Sequence, residues 1–303
     1  MRAMTILAAA CLMAPAGGAE PKAYLDGKCF LGLDYAAGKL HLVDPAGAVR
    51  QTWDAPHGND LWALPGGNLL FNTGHGVREI TREGKTVFEY QTKSEVYACQ
   101  RLADGNTFVG ECNAGRLLEL RPDGSIAKEV RLLPEGQDGG HLYMRNARRL
   151  DNGHYLVAHY GDHRVTEYDG DGKKVWEVPA PSGPHSVCRL PDGHTLFATG
   201  DHAKDPRLTE VDKDGKVVWE FSNADLKDAP LKFLAGFQRL PNGHTLITNW
   251  LGHGQTGKAP QLYEVTPDKK VVWTYADHEA FKTISTVVVL DEEGRAPAGP
   301  VFH

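Results

Sequence analysis

Hydrophobic and polar residues alternate along most of the chain in short runs, and glycine-containing turns separate these runs. An alternation with a period of two is typical of a β-strand that buries one face. Turns such as Pro-Asp-Gly at 191–193 and Pro-Asn-Gly at 241–243 supply the positive φ that a tight hairpin needs. We find no convincing amphipathic helical pattern. The sequence therefore predicts an all-β fold.

The strands are organised into a repeat. Three copies align directly, RLDNGHYLVAHYGDHRVTEYDGDGKKVWEV, RLPDGHTLFATGDHAKDPRLTEVDKDGKVVWEF and RLPNGHTLITNWLGHGQTGKAPQLYEVTPDKKVVWTY, which begin at Arg149, Arg189 and Arg239. Weaker copies begin at Ala63 and Arg101. The turn glycines of the five copies lie 38, 48, 40 and 50 residues apart, at Gly67, Gly105, Gly153, Gly193 and Gly243. Each copy predicts four strands, a to d, with short a–b and c–d turns and a longer b–c loop. This arrangement is typical of a propeller blade.

The two ends of the repeat region complement each other. Residues 30–53 contain strands b, c and d without a preceding strand a, and residues 283–294 contain a strand a with its turn and nothing after it. Pairing these segments would close a ring and remove exposed strand edges. The sequence thus predicts a single six-bladed β-propeller of four-stranded blades, with the C-terminal strand completing the first blade. An open stack of sheets is the alternative.

The first residues of the chain are typical of an export signal. Arg2 precedes an apolar run at 4–13, and small residues extend to Ala19. We predict a signal peptide at 1–19 and the propeller at 20–303, with a lipoprotein signal at Cys11 as the alternative. No later segment approaches the roughly 18 apolar residues of a membrane helix. The expected protein is periplasmic or secreted, with no membrane span. Four later cysteines allow three disulfide pairings or simply buried thiols, and they are Cys29, Cys99, Cys112 and Cys188.

The repeat copies, of the type RLPNGHTL…LYEVTPDKKVVWTY, resemble the PQQ-like, arylsulfotransferase-like β-propellers of bacterial secreted proteins. The resemblance covers nearly the whole mature chain and implies the propeller fold. For arylsulfotransferases it also implies sulfuryl transfer by channel histidines and an arginine. PQQ itself is not expected, because quinoprotein dehydrogenases usually have eight blades and often a vicinal disulfide, whereas this chain has fewer repeats and no adjacent cysteines. We expect Trp176, Trp219 and Trp273 to pack between blades.

Composition and motifs exclude several function classes. The chain is 24% charged with a net charge of -6 and no Lys/Arg cluster, which disfavours nucleic acid and anionic membranes as partners. HExxH, GxSxG, Walker A and EF-hand signatures are missing. The Asp-x-Asp-Gly runs at 169–172 and 212–215 fall in the c–d turn column, so we interpret them as structural turns. One repeat column beside the a–b turn holds three histidines that we interpret in the same way, His154, His194 and His244.

Nine of the 14 histidines fall in the d–a connections and b–c loops, which propeller topology places on one rim. Histidine can act as metal ligand, general base or nucleophile near neutral pH, and the channel mouth is the usual concave site of such folds. This rim is therefore the predicted functional site. Its catalytic candidates are His57, His141, His185 and Arg145. Its ligand-binding candidates are His75, Asn146, His159, His202, Asn249, Trp250 and His253.

Two classes of function fit such a rim. The favoured hypothesis is a binding propeller that recognises a small molecule, a glycan or a protein partner. The alternative is an enzyme that transfers a sulfuryl group, with a histidine as acceptor and Arg145 stabilising charge. Another enzymatic version is a metal-dependent carbohydrate lyase or hydrolase, with three histidines around a divalent ion. A structural repeat without a small ligand is a third reading. The sequence leaves the ligand and the presence of a metal open.

Overall fold

A computed structural model describes residues 22–200, 206–228 and 230–303. The predicted signal peptide at 1–19 and His202 lie outside these ranges. Within them the chain is all-β, and its only helical segment is a single 3-10 turn at Asn223–Asp225. Over the same ranges, we find no helix with the length and apolar character needed to cross a membrane.

The strands are short, and most have the length expected of propeller strands. In chain order they are β1 Phe30–Asp34, β2 Lys39–Val43, β3 Val49–Asp54, β4 Leu61–Ala63, β5 Leu69–Asn72, β6 Gly74–Ile80, β7 Thr86–Arg101, β8 Thr107–Glu111, β9 Arg116–Leu120, β10 Ile126–Arg131, β11 Asn146–Arg149, β12 Tyr155–His159, β13 Arg164–Tyr168, β14 Lys174–Pro179, β15 Pro184–Arg189, β16 Thr195–Thr199, β17 Arg207–Val211, β18 Val217–Ser222, β19 Leu234–Arg239, β20 Thr245–Asn249, β21 Leu262–Val265, β22 Val271–Tyr275 and β23 Ile284–Val289.

Antiparallel pairing gives four sheets of four strands and one of seven. Three of the four-stranded sheets take consecutive strands, β11 to β14, β15 to β18 and β19 to β22. The seven-stranded sheet runs from β4 to β10, and its strand β7 belongs to two units. The part of β7 up to Gln91 pairs with β6, and the part from Val96 onward pairs with β8, with Val96 also opposite Gly74 of β6. This sheet is therefore two four-stranded units joined by one continuous strand.

The first sheet brings together the two ends of the described chain. Its strand order is β23-β1-β2-β3, and Phe30 of β1 lies opposite Val289 of β23 in an antiparallel ladder. The a–b turns have the conformation that their glycines predict. In the turn after β15, the amide of Leu190 donates to the carbonyl oxygen of His194 at 2.8 Å, and Gly193 has a φ of +87°. All five repeat glycines named above have a positive φ.

The apolar core lies between successive sheets. One cluster joins Leu31 and Leu40 of the first sheet to Phe71 of the next, and another joins Phe30 and Val287 of the first sheet to Leu262 of the last. The outer strands contribute tryptophans to these contacts. The indole N–H of Trp219 donates to the carbonyl oxygen of Pro267 at 2.8 Å, and that of Trp176 donates to Lys213 at 3.0 Å, in each case across to the next sheet. All four cysteines of the described ranges are buried free thiols.

Candidate functional site

A cavity of about 260 Å³ opens where the starts of the a-strands and the b–c loops of several sheets meet. It brings together five of the sequence-predicted residues, His141, Arg145, His185, Trp250 and His253. The other residues that line it are Tyr35, Asn59, Tyr97, Tyr160, Phe233 and Ala235. Eight of the eleven carry aromatic or imidazole rings. Six of these rings come from b–c loops and d–a connections, and the other two are Tyr97 of β7 and His185 of β15. The cavity is therefore mainly ring-lined, with few charged groups.

Arg145 is the cation of this cavity, and it is 8% exposed. Its backbone amide donates to the carbonyl oxygen of Ala158 at 3.0 Å, which fixes the residue just before β11. Its guanidinium lies between two rings, 4.4 Å from the centroid of Tyr97 and 5.2 Å from that of Tyr160. Nη1 is buried without an acceptor among the described residues, and no carboxylate of those residues forms an ion pair with Arg145. The aromatic faces thus supply part of the electrostatic stabilisation that a carboxylate usually gives to a buried cation.

His141 connects Arg145 to a carboxylate. Its Nδ1 lies 2.7 Å from Oε2 of Glu95, and its Nε2 lies 2.7 Å from Nη2 of Arg145. Because guanidinium nitrogens only donate, Nε2 must be the acceptor, so Nδ1 carries the proton and donates to Glu95. Tyr97 completes the group, with its hydroxyl 3.3 Å from both Nδ1 of His141 and Oε2 of Glu95. A single neutral tautomer of His141 satisfies every contact.

His185 presents the opposite kind of group to the cavity. Its Nδ1 lies 2.9 Å from the carbonyl oxygen of Ala235, which can only accept, so Nδ1 carries the proton and Nε2 keeps its lone pair. Burial, helped by the positive charge of Arg145, lowers the pKa of His185 to about 3. The ring is therefore neutral at pH 7, and its Nε2 is a hydrogen-bond acceptor.

A chain of edge-to-face rings forms the remaining wall. Tyr160 contacts His185 with centroids 6.2 Å apart, and His185 contacts Phe233 at 5.2 Å. Phe233 then contacts Trp250 at 5.3 Å. Trp250 in turn contacts Tyr35 at 6.3 Å. Edge-to-face packing is the preferred arrangement of aromatic pairs, and a planar guest ring can extend it.

Two predicted residues, His57 and His75, do not line the cavity. His57 is held at a φ of 54°, and its ring meets the ring of Tyr35 with centroids 5.6 Å apart. His75 is exposed, and its Nδ1 lies 3.1 Å from the carbonyl oxygen of Ser94. His202 lies outside the described residues.

Three other predicted residues are buried in structural contacts away from the cavity. His159 is fully buried, with Nδ1 3.1 Å from the carbonyl oxygen of Tyr143 and Nε2 2.9 Å from the hydroxyl of Tyr168. Asn249 is also fully buried. Its Oδ1 accepts from the amide of Lys232 at 2.7 Å, and its Nδ2 donates to the carbonyl oxygen of Pro260 at 2.9 Å.

Asn146 is the third of these buried residues, and its Oδ1 accepts from the amide of Val187 at 3.3 Å. His159 and Asn249 end strand b of their sheets, a position whose polar side chain holds the d–a connection.

The lining residues that sequence reasoning missed share repeat columns with those that it found. The first column is the position four residues before the last residue of strand a. In β4, β7, β11, β15 and β19 this position holds, in order, Asn59, Tyr97, Arg145, His185 and Ala235. The residue after strand b is Tyr35, Tyr160 or Trp250 in three of the sheets. Reading these two columns together would have identified most of the cavity. Glu95 has no such signal, since it depends on the continuity of β7.

The cavity histidines do not form a three-ligand metal cluster within the described ranges. The one such group there is Asp192, His194 and Glu210, beside an a–b turn, where Glu210 also pairs with Arg239 at 2.6 Å. The Asp-x-Asp-Gly runs are turns, as predicted. Oδ1 of Asp212 accepts from the amides of Asp214 and Lys216 at 3.0 and 2.9 Å.

The chain matches no known family's sequence profile and no curated protein sequence. Several solved structures share its fold. A Bacteroides caccae protein of unknown function is 24% identical, with a TM-score of 0.78 over 87% of this chain and 98% of that one. A streptogramin B lyase is 16% identical, with a TM-score of 0.57 over 83% of each chain.

Virginiamycin B lyase from Staphylococcus aureus is 15% identical, with a TM-score of 0.57 over 89% of this chain and 93% of that one. All three structures are under 25% identical to this chain, so the likeness shows a shared β-propeller fold and nothing of their activity. The narrower PQQ-like, arylsulfotransferase-like resemblance stays a prediction.

Proposed function

We propose that this chain is an exported six-bladed β-propeller that binds a small organic molecule in the channel-mouth cavity. The blade count follows from counting each half of the seven-stranded sheet as one blade beside the four separate sheets. The pairing of β23 with β1 and the apolar cluster between the first and last sheets support a closed ring. The Arg2-led apolar segment and the small residues before Glu20 support export.

The observation that carries the binding role is the buried Arg145 in a ring-lined cavity. A buried charge without a carboxylate partner is costly, and proteins keep one where a ligand can complete its contacts. Small-molecule sites are mostly apolar concavities with a few placed polar groups, which describes this cavity. Its volume of about 260 Å³ favours a small molecule over an extended glycan.

The electrostatics of the two histidines favour binding over proton-transfer catalysis. An effective general base has a pKa close to the working pH, whereas the pKa of His185 is about 3. The lone pair of His141 already accepts from Arg145 at 2.7 Å, so it is unavailable to a substrate unless Arg145 moves. Burial also raises the pKa of the Tyr97 hydroxyl far above its usual range, so this group holds its proton.

An enzyme is the second candidate, and the Glu95–His141 pair favours it. A carboxylate that orients an imidazole is a common catalytic arrangement, and lyases are found among the solved propellers of similar fold. In this version Arg145 moves on substrate binding and stabilises negative charge. The lone pair of His141, released from Arg145, then takes part in the reaction. Sulfuryl transfer is one such reaction. A metal-dependent lyase or hydrolase would need ligands beyond the described cavity histidines.

A fragment screen by ligand-observed NMR tests the binding role. We expect small aromatic and polar fragments to bind the mature protein, and Arg145→Gln and Trp250→Leu to weaken their binding at least about tenfold, because each removes a wall of the cavity. Arg121→Gln is the matched control, since Arg121 lies in an exposed c–d turn. If no fragment binds, the binding role is wrong. Fragments that bind all four proteins equally would place the site elsewhere.

A further inference from the structure

The cavity offers a ligand three distinct contacts. Arg145 supplies a cation that lacks a carboxylate partner in the described chain. His185 supplies an acceptor at Nε2, because its Nδ1 proton goes to the carbonyl oxygen of Ala235. The wall from Phe233 to Trp250 supplies edges and faces of aromatic rings. A ligand that uses all three needs an anion, a hydrogen-bond donor and a flat ring.

We propose that the ligand class is an aromatic carboxylate whose ring carries a hydroxyl or amino group, with the carboxylate on Arg145 and the donor on Nε2 of His185. This assignment rests on the proposed binding role and deepens it. A carboxylate is the planar anion that a guanidinium recognises best, through charge-assisted hydrogen bonds. The aromatic ring of the ligand packs edge-to-face against Phe233 and Trp250, which line the cavity and already pack in this manner with each other.

The charges around Arg145 support a ligand with one negative charge. Glu95 is the carboxylate nearest to it in the hydrogen-bond chain, and His141 stands between the two groups. The guanidinium is therefore oriented by a neutral imidazole and keeps its charge available to a ligand. Lysine would not substitute for it, since an ammonium cannot stack in the same way between Tyr97 and Tyr160.

His185 accepts a neutral hydrogen-bond donor at the other end of the ligand, whereas it disfavours a second anionic group there. His185 is uncharged at pH 7, and its Nε2 lone pair repels a carboxylate oxygen, which can only accept. Aromatic dicarboxylates are accordingly expected to bind more weakly than hydroxylated or aminated monocarboxylates. Weaker binding of the dicarboxylates would distinguish recognition by both Arg145 and His185 from simple attraction to a positive charge.

Isothermal titration calorimetry with the mature protein tests the class directly. The probes are the three hydroxybenzoate isomers, benzoate, 4-hydroxybenzyl alcohol, cyclohexanecarboxylate and terephthalate. We expect at least one hydroxybenzoate to bind about tenfold or more tightly than benzoate and each of the other probes, a ratio in the range of one hydrogen bond. Arg145→Gln should abolish the advantage of the carboxylate, and Arg145→Lys should restore little of it.

The outcomes separate this assignment from the binding role on which it rests. If the neutral alcohol or the cyclohexane acid binds as tightly as every hydroxybenzoate, the ligand class is wrong while the cavity remains a binding site. If no hydroxybenzoate binds but fragments of the NMR screen do, the class is likewise wrong. His185→Phe provides a second variant in case Arg145 variants fold poorly. It should remove the advantage of hydroxybenzoate over benzoate, so that the ratio of their two dissociation constants falls to about one.

Discussion

The last residue of strand b holds the d–a connection in several sheets, although its side chain differs from sheet to sheet. Asp34 accepts the amides of Lys282 and Thr283, at 2.6 and 3.1 Å, and Asn249 accepts that of Lys232 at 2.7 Å. His159 holds the equivalent connection through the carbonyl oxygen of Tyr143 instead. Each side chain is buried where it satisfies a backbone group of the d–a connection. A histidine at this position is therefore structural even though the next residue, Tyr160, lines the cavity.

Burial of His159 makes stability depend on pH. It lowers the pKa of His159 to about 4, against about 6.5 in an unfolded chain. The unfolded state thus takes up a proton first, so the contribution is complete above pH 6.5 and is lost as the pH falls toward 4. We expect His159→Gln to reduce the loss of unfolding free energy between pH 7 and pH 4.5 by about 2 to 3 kcal/mol. Urea denaturation at both pH values measures it.

The exposed His75 provides the control for that experiment. His75→Gln should leave the pH dependence of unfolding unchanged. Because the pKa values of His185 and His303 are also lowered, to about 3 and 4, the pH dependence of each variant is compared with that of the parent protein. An unchanged pH dependence in His159→Gln would contradict the buried neutral ring.

At the scale of elements, neighbouring sheets are joined by a repeated ion pair. A glutamate of strand c meets an arginine at the end of the next strand a. Glu210 accepts from Arg239 at 2.6 Å and from Nδ1 of His194 at 2.8 Å. The same glutamate–arginine pairing recurs at three other junctions, Glu79–Arg101, Glu119–Arg149 and Glu167–Arg189. Two of the histidines interpreted as turn residues, His154 and His194, are partners of these glutamates. The third, His244, pairs with Glu264 instead.

The first junction replaces this pair with apolar residues. Leu42 and Ala63 stand at the glutamate and arginine positions of that junction, and both pack against one apolar cluster. The substitution suggests a double-mutant test at another junction. We expect Glu210→Leu alone to cost about 3 kcal/mol of unfolding free energy, because it leaves Arg239 half-buried and unpaired. Adding Arg239→Ala should recover most of that loss, as measured by chemical denaturation.

Additive costs of the two substitutions would show that the pair is not a coupled unit. Glu220→Leu is a suitable control, because Glu220 is 40% exposed at its side chain and its pair with Arg207 spans 3.3 Å. A surface pair of this kind is worth about 0 to 1 kcal/mol.

Strands and turns could be predicted from the sequence because their causes are local. The predicted b-strand HTLFAT becomes β16 at Thr195–Thr199, and its turn glycine has the expected φ. The cavity was predicted in part, because it depends on which columns of the repeat point inward, and histidine content alone does not tell this. The repeat topology predicts His159 in a b–c loop, whereas it is the last residue of β12. Tyr97 was overlooked because a tyrosine in a strand is ordinarily a core residue.

At the scale of the whole molecule, the cavity exists because several sheets contribute to it. Asn59, Tyr97, Arg145 and His185 come from different units, so no single blade contains the site. A buried ion pair joins two of these units below it, where Arg148 contacts Asp60 at 2.7 and 2.9 Å. The geometry of the cavity therefore depends on the relative positions of the sheets, which the pairing of β23 with β1 would fix in the proposed closed ring.

Removal of β23 tests whether that pairing closes a ring. A chain that ends at Thr283 would lose Ile284, Val287 and Val289, and each buried aliphatic side chain is worth about 1.5 to 3 kcal/mol. It would also expose the edge of β1. We expect this chain to lose its single cooperative unfolding transition and to associate, as followed by circular dichroism and size-exclusion chromatography.

A chain that ends at Arg295 is the matched control, since it keeps β23 and loses only the segment that contacts Arg239 and Arg148. It should still unfold in one transition, at a lower midpoint. A peptide of residues 283–294 added to the shorter chain should restore cooperative unfolding, because it can rejoin β1 as an antiparallel strand. Equal midpoints for the two truncated chains would mean that the sheets are held in place without β23, as an open stack would be.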